Sequence, residues 1–247
     1  LRAMCPALPL GQLQLHYQPV VDQQSHEVTG YEALLRWEHP GRGMIMPMDF
    51  IPIAEETGLI HEIGARALNL ACQEAASWGT EQVVSVNLSP VQFKNANLVH
   101  IVALALSDSG LSPLRLELEI TESVLLGNSE ENVRTLRALK DLGVSISLDD
   151  FGTGYSSLGY LRSFPFDRIK IDKSFVHDMC DSREAMSIIR AITELSNSLM
   201  IKTTAEGVES AEQMERLRAE GCSHFQGYLY GRPAPASERL KSVALLG

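Results

Sequence analysis

The feature that most constrains this chain is the parity of its strand-like segments. Val84, Val86 and Leu88 alternate with Ser85 and Asn87, and Leu116, Leu118 and Ile120 with Glu117 and Glu119. Ile146 and Leu148 alternate with Ser145, Ser147 and Asp149, Ile169 and Ile171 with Arg168, Lys170 and Asp172, and Lys202, Thr204 and Glu206 share a side. Successive strand residues face opposite sides of a sheet, so each segment has one apolar and one polar face. The strand candidates are Leu13–Val21, Tyr31–Trp37, Val83–Leu88, Arg115–Thr121, Val144–Asp149, Arg168–Asp172, Met200–Ala205 and Ser223–Tyr228. Helical stretches such as His61–Trp78, Glu130–Leu142, Arg183–Ser196 and Ala211–Glu220 lie between most of them.

Strands alternating with helices imply βα units and a parallel sheet. Strands of such a sheet are ordinarily apolar on both faces. The economical resolution is closure: apolar faces meet the helices, and polar faces line a barrel in which Glu117, Arg168 and Lys202 must find partners. Eight strands in 247 residues suit an α/β TIM-like (β/α)8 barrel, with a doubly wound open sheet or a half-exposed mixed sheet as the alternatives. Asp22–Gly30 is too short for a crossover helix, so the first two strands form an N-terminal β-hairpin and one strand runs antiparallel. Residues 1–11 read as a tail or linker remnant and residues 12–247 as a single domain.

Composition removes several function classes. The formal net charge is -10, which disfavours duplex nucleic acid but permits a small phosphate ligand at a locally positive or metal-bearing site. No apolar run approaches the roughly 18 residues of a membrane span. Cys5, Cys72, Cys180 and Cys222 form no CxxC pair, so neither a zinc site nor a disulfide scaffold is indicated and a cytoplasmic location is the expectation.

Barrel enzymes carry their reactive groups at the C-terminal ends of strands. Those ends present Glu32 and Arg36, Asn87, Glu119, Asp149 and Asp150, Lys170, Glu206 and Gln226. Taken singly, an acid at a strand end is most often a helix cap or a solvated loop residue; it is their coincidence that matters. So many carboxylates in one mouth repel unless cations intervene. Oxygen donors without Cys or His select Mg²⁺ or Mn²⁺ over Zn²⁺, and their number favours two ions, about 3.5–4 Å apart. Asp150-Phe151-Gly152 spells a kinase triplet, but no HRD-type loop or glycine-rich strand pair accompanies it.

Together these residues resemble the EAL domains, the bacterial cyclic di-GMP phosphodiesterases. The matching segments are Glu32-Ala33-Leu34 with Leu35-Arg36-Trp37, Val86-Asn87-Leu88-Ser89, Glu119-Ile120-Thr121-Glu122, the loop Asp149 to Leu158, Ile169-Lys170-Ile171-Asp172, Ala205-Glu206-Gly207-Val208-Glu209 and Phe225-Gln226-Gly227-Tyr228. The resemblance implies that Glu32, Asn87, Glu119, Asp149, Asp150 and Glu206 hold the metals, and that Glu32, Lys170 and Glu206 are catalytic, with Lys170 holding the attacking water. It implies that Arg36 grips a phosphate, that Gln18 reaches a guanine edge, and that Leu34, Asp172, Glu209 and Gln226 complete the substrate site. Glu122 is expected to support the Asp149–Ser157 loop, through which a homodimer would communicate. The implied reaction is two-metal hydrolysis of one phosphodiester bond of cyclic di-GMP to linear 5′-pGpG, with Ca²⁺ inhibitory and with sensor or cyclase domains fused to the same protein. A non-catalytic cyclic di-GMP sensor and an enolase-like barrel with Lys170 as base are the competing readings.

Overall fold

A computed structural model describes residues 11–126, 129–152, 164 and 166–239. The strands are β1 (Leu13–Asp22), β2 (Val28–His39), β3 (Gly43–Ile45), β4 (Val83–Leu88), β5 (Leu116–Thr121), β6 (Ser145–Phe151), β7 (Arg168–Ile171), β8 (Lys202–Ala205), β9 (His224–Gln226) and β10 (Ala234–Pro235). The helices are α1 (Pro47–Thr57), α2 (Ile60–Ala76), α3 (Leu98–Ser109), α4 (Ser123–Leu126), α5 (Ser129–Asp141), α6 (Lys173–Asp178), α7 (Arg183–Ser198) and α8 (Ala211–Ala219).

The sheet closes as expected. β2, β4, β5, β6, β7, β8 and β9 run parallel, and β1 completes the ring, antiparallel to both β2 and β9. Asp22 makes the hairpin turn: its Oδ1 accepts from the amides of Gln24 at 2.9 Å and Ser25 at 2.8 Å, a local bond that competes with strand continuation. β2 is longer than the periodicity predicts, because β3 pairs with its end through Trp37 and Ile45. β9 is shorter, stopping at Gln226. A Cβ on Gly227 would lie 2.1 Å from the Val208 carbonyl oxygen, so only glycine admits this approach. α1 and α3 escape the helical periodicity because α1 carries an internal Pro52 and α3 is apolar on most sides.

The outward faces form the core. Val84, Val86, Leu88, Leu116, Leu118, Ile120, Ile146 and Leu148 are buried against the helices, each contributing about 1.5–3 kcal/mol by leaving water. α2 answers with Leu68, Ala71, Cys72 and Ala75, one stripe of a 3.6-residue period. Trp78 and Trp37 are core anchors, Trp78 edge-on to Tyr17 and Tyr31 at 5.8 and 5.3 Å. Inside the barrel, Arg168 Nε donates to Glu117 Oε2 at 3.0 Å and its Nη1 to Thr204 at 2.9 Å, while Ser85 donates to Glu117 at 3.0 Å. Among the described residues, Lys202 has no internal ion-pair partner of the kind expected. It opens β8 at the barrel's base, where water solvates it. No helix among the described residues is long and apolar enough to cross a membrane.

Candidate active site

The inward residues at the strand ends converge on Lys170. This lysine is 2% exposed, and its Nζ lies 2.6 Å from Glu119 Oε2, 2.5 Å from Glu206 Oε1, and 3.4 Å from both Glu32 Oε2 and Asp149 Oδ1. Burial alone would lower its pKa, but the charges of Asp149, Glu119, Glu206 and Glu32 outweigh that and hold it well above the usual lysine range.

One ammonium cannot neutralise the four carboxylates around it. Burial pushes Glu206 up to about 8, with the negative charges of Asp149 and Glu32 adding to the effect. Glu119 is raised well above the carboxylate range by burial and by Glu32. Glu32 goes the other way. Burial disfavours its charge, but Lys170 and hydrogen bonds from Gln226 and Asn87 pull its pKa down. Asn87 Nδ2 donates to Glu32 Oε1 at 2.7 Å and Gln226 Nε2 to Glu32 Oε2 at 2.6 Å.

Asp149 and Asp150 are neighbours, and an ideal strand would send them to opposite faces. A register shift between Leu148 and Phe151 breaks the pairing of β6 with β7, and Asp150 takes a left-handed φ of 55°. That bulge turns both carboxylates into the mouth. Ligand atoms of Asp149, Asp150 and Glu206 all lie within 4.8 Å of one another. Asp150 is raised to about 6 by partial burial and by Asp149. A left-handed aspartate at a functional strand end is the kind of strain that active sites retain.

Beside this cluster lies a cleft of about 390 Å3 bordered by Gln18, Leu34, Asp149, Glu206, Glu209 and Gln226, within the range of about 300–1,000 Å3 typical of small-molecule sites. Gln18 accepts from Gln226 at 3.2 Å and donates to the Gly231 carbonyl at 3.2 Å. Arg36 is buried, with Nη1 donating to the Leu35 carbonyl at 2.8 Å; burial lowers its pKa, opposed by the charge of Glu32. Glu209 is exposed at the rim. Asp172 serves as the N-cap of α6, its Oδ1 accepting from the amide of Ser174 at 3.0 Å and from the Ser174 hydroxyl. Glu122 Oε1 accepts from the amide of Gly152 at 2.9 Å, where the Asp149–Ser157 loop begins; residues 153–157 of that loop lie outside the described residues. Lys173 and Tyr228 also border the cleft, and the motif reading assigns neither a role. Parity could have found Tyr228, which is two residues beyond Gln226. The Arg232 guanidinium sits 4.0 Å from its ring centroid.

The sequence pattern that defines the EAL domain matches residues 2–233. The chain belongs to the EAL domain family. It is 45% identical over 242 residues to the bifunctional diguanylate cyclase/cyclic di-GMP phosphodiesterase MucR of Pseudomonas aeruginosa, covering 96% of this chain and 35% of that protein. It is 43% identical over 233 residues to the cyclic di-GMP phosphodiesterase NbdA of the same species, covering 93% of this chain and 30% of that one. The EAL domain thus spans about a third of the length of these relatives. Among solved structures, the MucR phosphodiesterase in complex with c-di-GMP superimposes with a TM-score of 0.93 at 44% identity, covering 96% of this chain and 98% of that one.

Proposed function

We infer that this EAL domain is a metal-dependent phosphodiesterase that opens one phosphodiester bond of cyclic di-GMP to give linear 5′-pGpG. The observation that carries the reading is the cluster itself: Glu32, Asn87, Glu119, Asp149, Asp150 and Glu206 surround Lys170 beside a ligand-sized cleft. Named relatives with this activity support it.

The donor set fits a hard divalent cation, because every donor is oxygen and the carboxylates exceed the positive charge that Lys170 supplies. Glu32, Asn87, Glu119, Asp149, Asp150 and Glu206 would hold Mg²⁺ or Mn²⁺, two per site on our reading. Bound there, such ions supply Lewis-acid stabilisation of the phosphoryl charge and acidify the attacking water. Lys170 contributes a fixed N–H donor that orients the attacking water and opposes the charge growing on the phosphoryl oxygens. Gln226 and Asn87 hold both oxygens of Glu32 in place. Arg36 grips a phosphate, and Gln18 exchanges its internal bonds for a guanine edge. Leu34, Asp172 and Glu209 bound the nucleotide. In the reaction, water oxygen bonds to phosphorus, the P–O3′ bond breaks, and the 3′ oxygen takes up a proton.

The domain is the cytoplasmic output module of a longer protein that carries sensor or cyclase domains, and it acts as a homodimer through the loop that Glu122 supports. The test is a product assay with cyclic di-GMP in Mg²⁺, Mn²⁺, Ca²⁺ or chelator. The reading expects 5′-pGpG with Mg²⁺ or Mn²⁺, and none with Ca²⁺, whose longer and looser coordination misplaces the water. Tight binding without product in every metal would establish the sensor reading instead.

A further inference from the structure

The interior of a TIM barrel is normally filled by layers of bulky apolar side chains. Here the layer beneath the catalytic residues is polar: Ser85, Glu117, Ser147, Arg168, Thr204 and His224 each lie two residues below a member of the upper layer. Ser85, Glu117, Arg168, Thr204 and His224 of this layer border a cavity of about 160 Å3 at the base of the barrel, with room for about five water molecules at ~30 Å3 each. Its ceiling is formed by Glu119, Lys170 and Gln226, and its rim by Asp22, Val83 and Lys202. Gln226 borders both this cavity and the substrate cleft.

One buried atom at the ceiling of this chamber calls for a donor. Gln226 Oε1 has no hydrogen-bond partner among the described residues, although Gln226 is 3% exposed. Buried polar atoms are almost always satisfied, by water where the protein offers nothing. His224, pushed down to about 3 by burial and by the charges of Arg168 and Lys202, is a neutral ring that can donate and accept at once.

We propose that the base of the barrel is a hydrated chamber through which water and protons exchange with the underside of the catalytic layer while nucleotide fills the cleft above. The exchange role rests on the phosphodiesterase reading. Hydrolysis bonds water oxygen to phosphorus and breaks P–O3′; one water proton goes to the 3′ oxygen. The other departs as the new monoester ionises, with a pKa of about 6. The cleft side is then covered by the dinucleotide, and the chamber leads to solvent.

The experiment is a crystal structure of the nucleotide-bound protein, together with kinetics of Val83→Phe, which plugs the rim at a position outside the catalytic machinery. We expect ordered waters from Gln226 Oε1 to the Asp22 and Lys202 rim. In the variant, kcat should fall at least about threefold with KM unchanged, and the solvent deuterium isotope effect on kcat should rise. A dry chamber overturns the proposal, and so does a plugged variant with wild-type kcat and isotope effect. Val20→Leu, which fills the chamber from β1, gives the same readout if Val83→Phe fails to fold. An inactive wild type would refute the phosphodiesterase reading and the exchange role together, while the crystal structure would still decide whether the chamber is wet.

Discussion

Glu206→Gln should abolish turnover and yet stabilise the metal-free protein at alkaline pH. Glu206 is ionised in the unfolded chain above its ordinary pKa of 4.5, but in the folded protein burial and neighbouring charges raise that value to about 8. Between these two values the folded state binds more protons than the unfolded one, so stability falls as pH rises through the window. A rise from 4.5 to about 8, at about 1.4 kcal/mol per pH unit, amounts to about 5 kcal/mol once pH exceeds 8. Glutamine is neutral and escapes this cost. It also weakens one bond to Lys170, which keeps Glu119 at 2.6 Å, so the net gain expected at pH 8 is about 2 kcal/mol. The assay is urea denaturation of both proteins in chelator at pH 5 and pH 8. The wild type should lose stability between the two and the variant should lose less, with the variant the more stable at pH 8 only. Adding Mg²⁺ should stabilise the wild type more than the variant. A variant less stable than wild type at pH 8 in chelator would refute the reasoning, because Glu206 would then be stabilised rather than frustrated by its neighbours.

Asp150→Ala should lower kcat at least about a hundredfold in Mg²⁺, and Asp150→Gly should be equally inactive but about 1 kcal/mol more stable than the alanine variant, because φ is 55° there; thermal denaturation of the pair checks the backbone argument separately from activity. Arg168→Met leaves Glu117 buried without its cation and should cost about 3–5 kcal/mol, with Glu117→Gln in the same chain restoring much of it; a double-mutant cycle by chemical denaturation measures the coupling. Gln226→Leu removes the 2.6 Å bond to Glu32 Oε2 and should weaken divalent-cation affinity about 10–100-fold, as losing a bond that orients a ligand does, read by calorimetric titration with Mn²⁺. Unaltered Mn²⁺ affinity would mean that Glu32 needs no such support.

Much of this protein was legible before any coordinates. Alternation within each strand, such as Leu116-Glu117-Leu118-Glu119-Ile120, dictates one apolar and one polar face, because backbone geometry alone sends neighbours to opposite sides. The short Asp22–Gly30 link dictates the antiparallel β1, and the acidic cluster of Asp149, Asp150 and Glu206 is drawn from strand ends that the motifs single out. Other features required the closed barrel. The chain order of Asp149 and Asp150 says they should diverge, and it is the bulge against β7 that brings both to Glu206. Lys202 shares strand parity with Glu206 yet meets water, because its height on β8 places it at the open base. Gln226 and Glu32 are 194 residues apart, and closure of β9 onto β1, with Gly227 tucked against Val208, sets their 2.6 Å bond. Local sequence determines which way a side chain faces. Its partners are decided by strands that meet only when the sheet closes, since the charges balancing each buried group come from elsewhere in the chain.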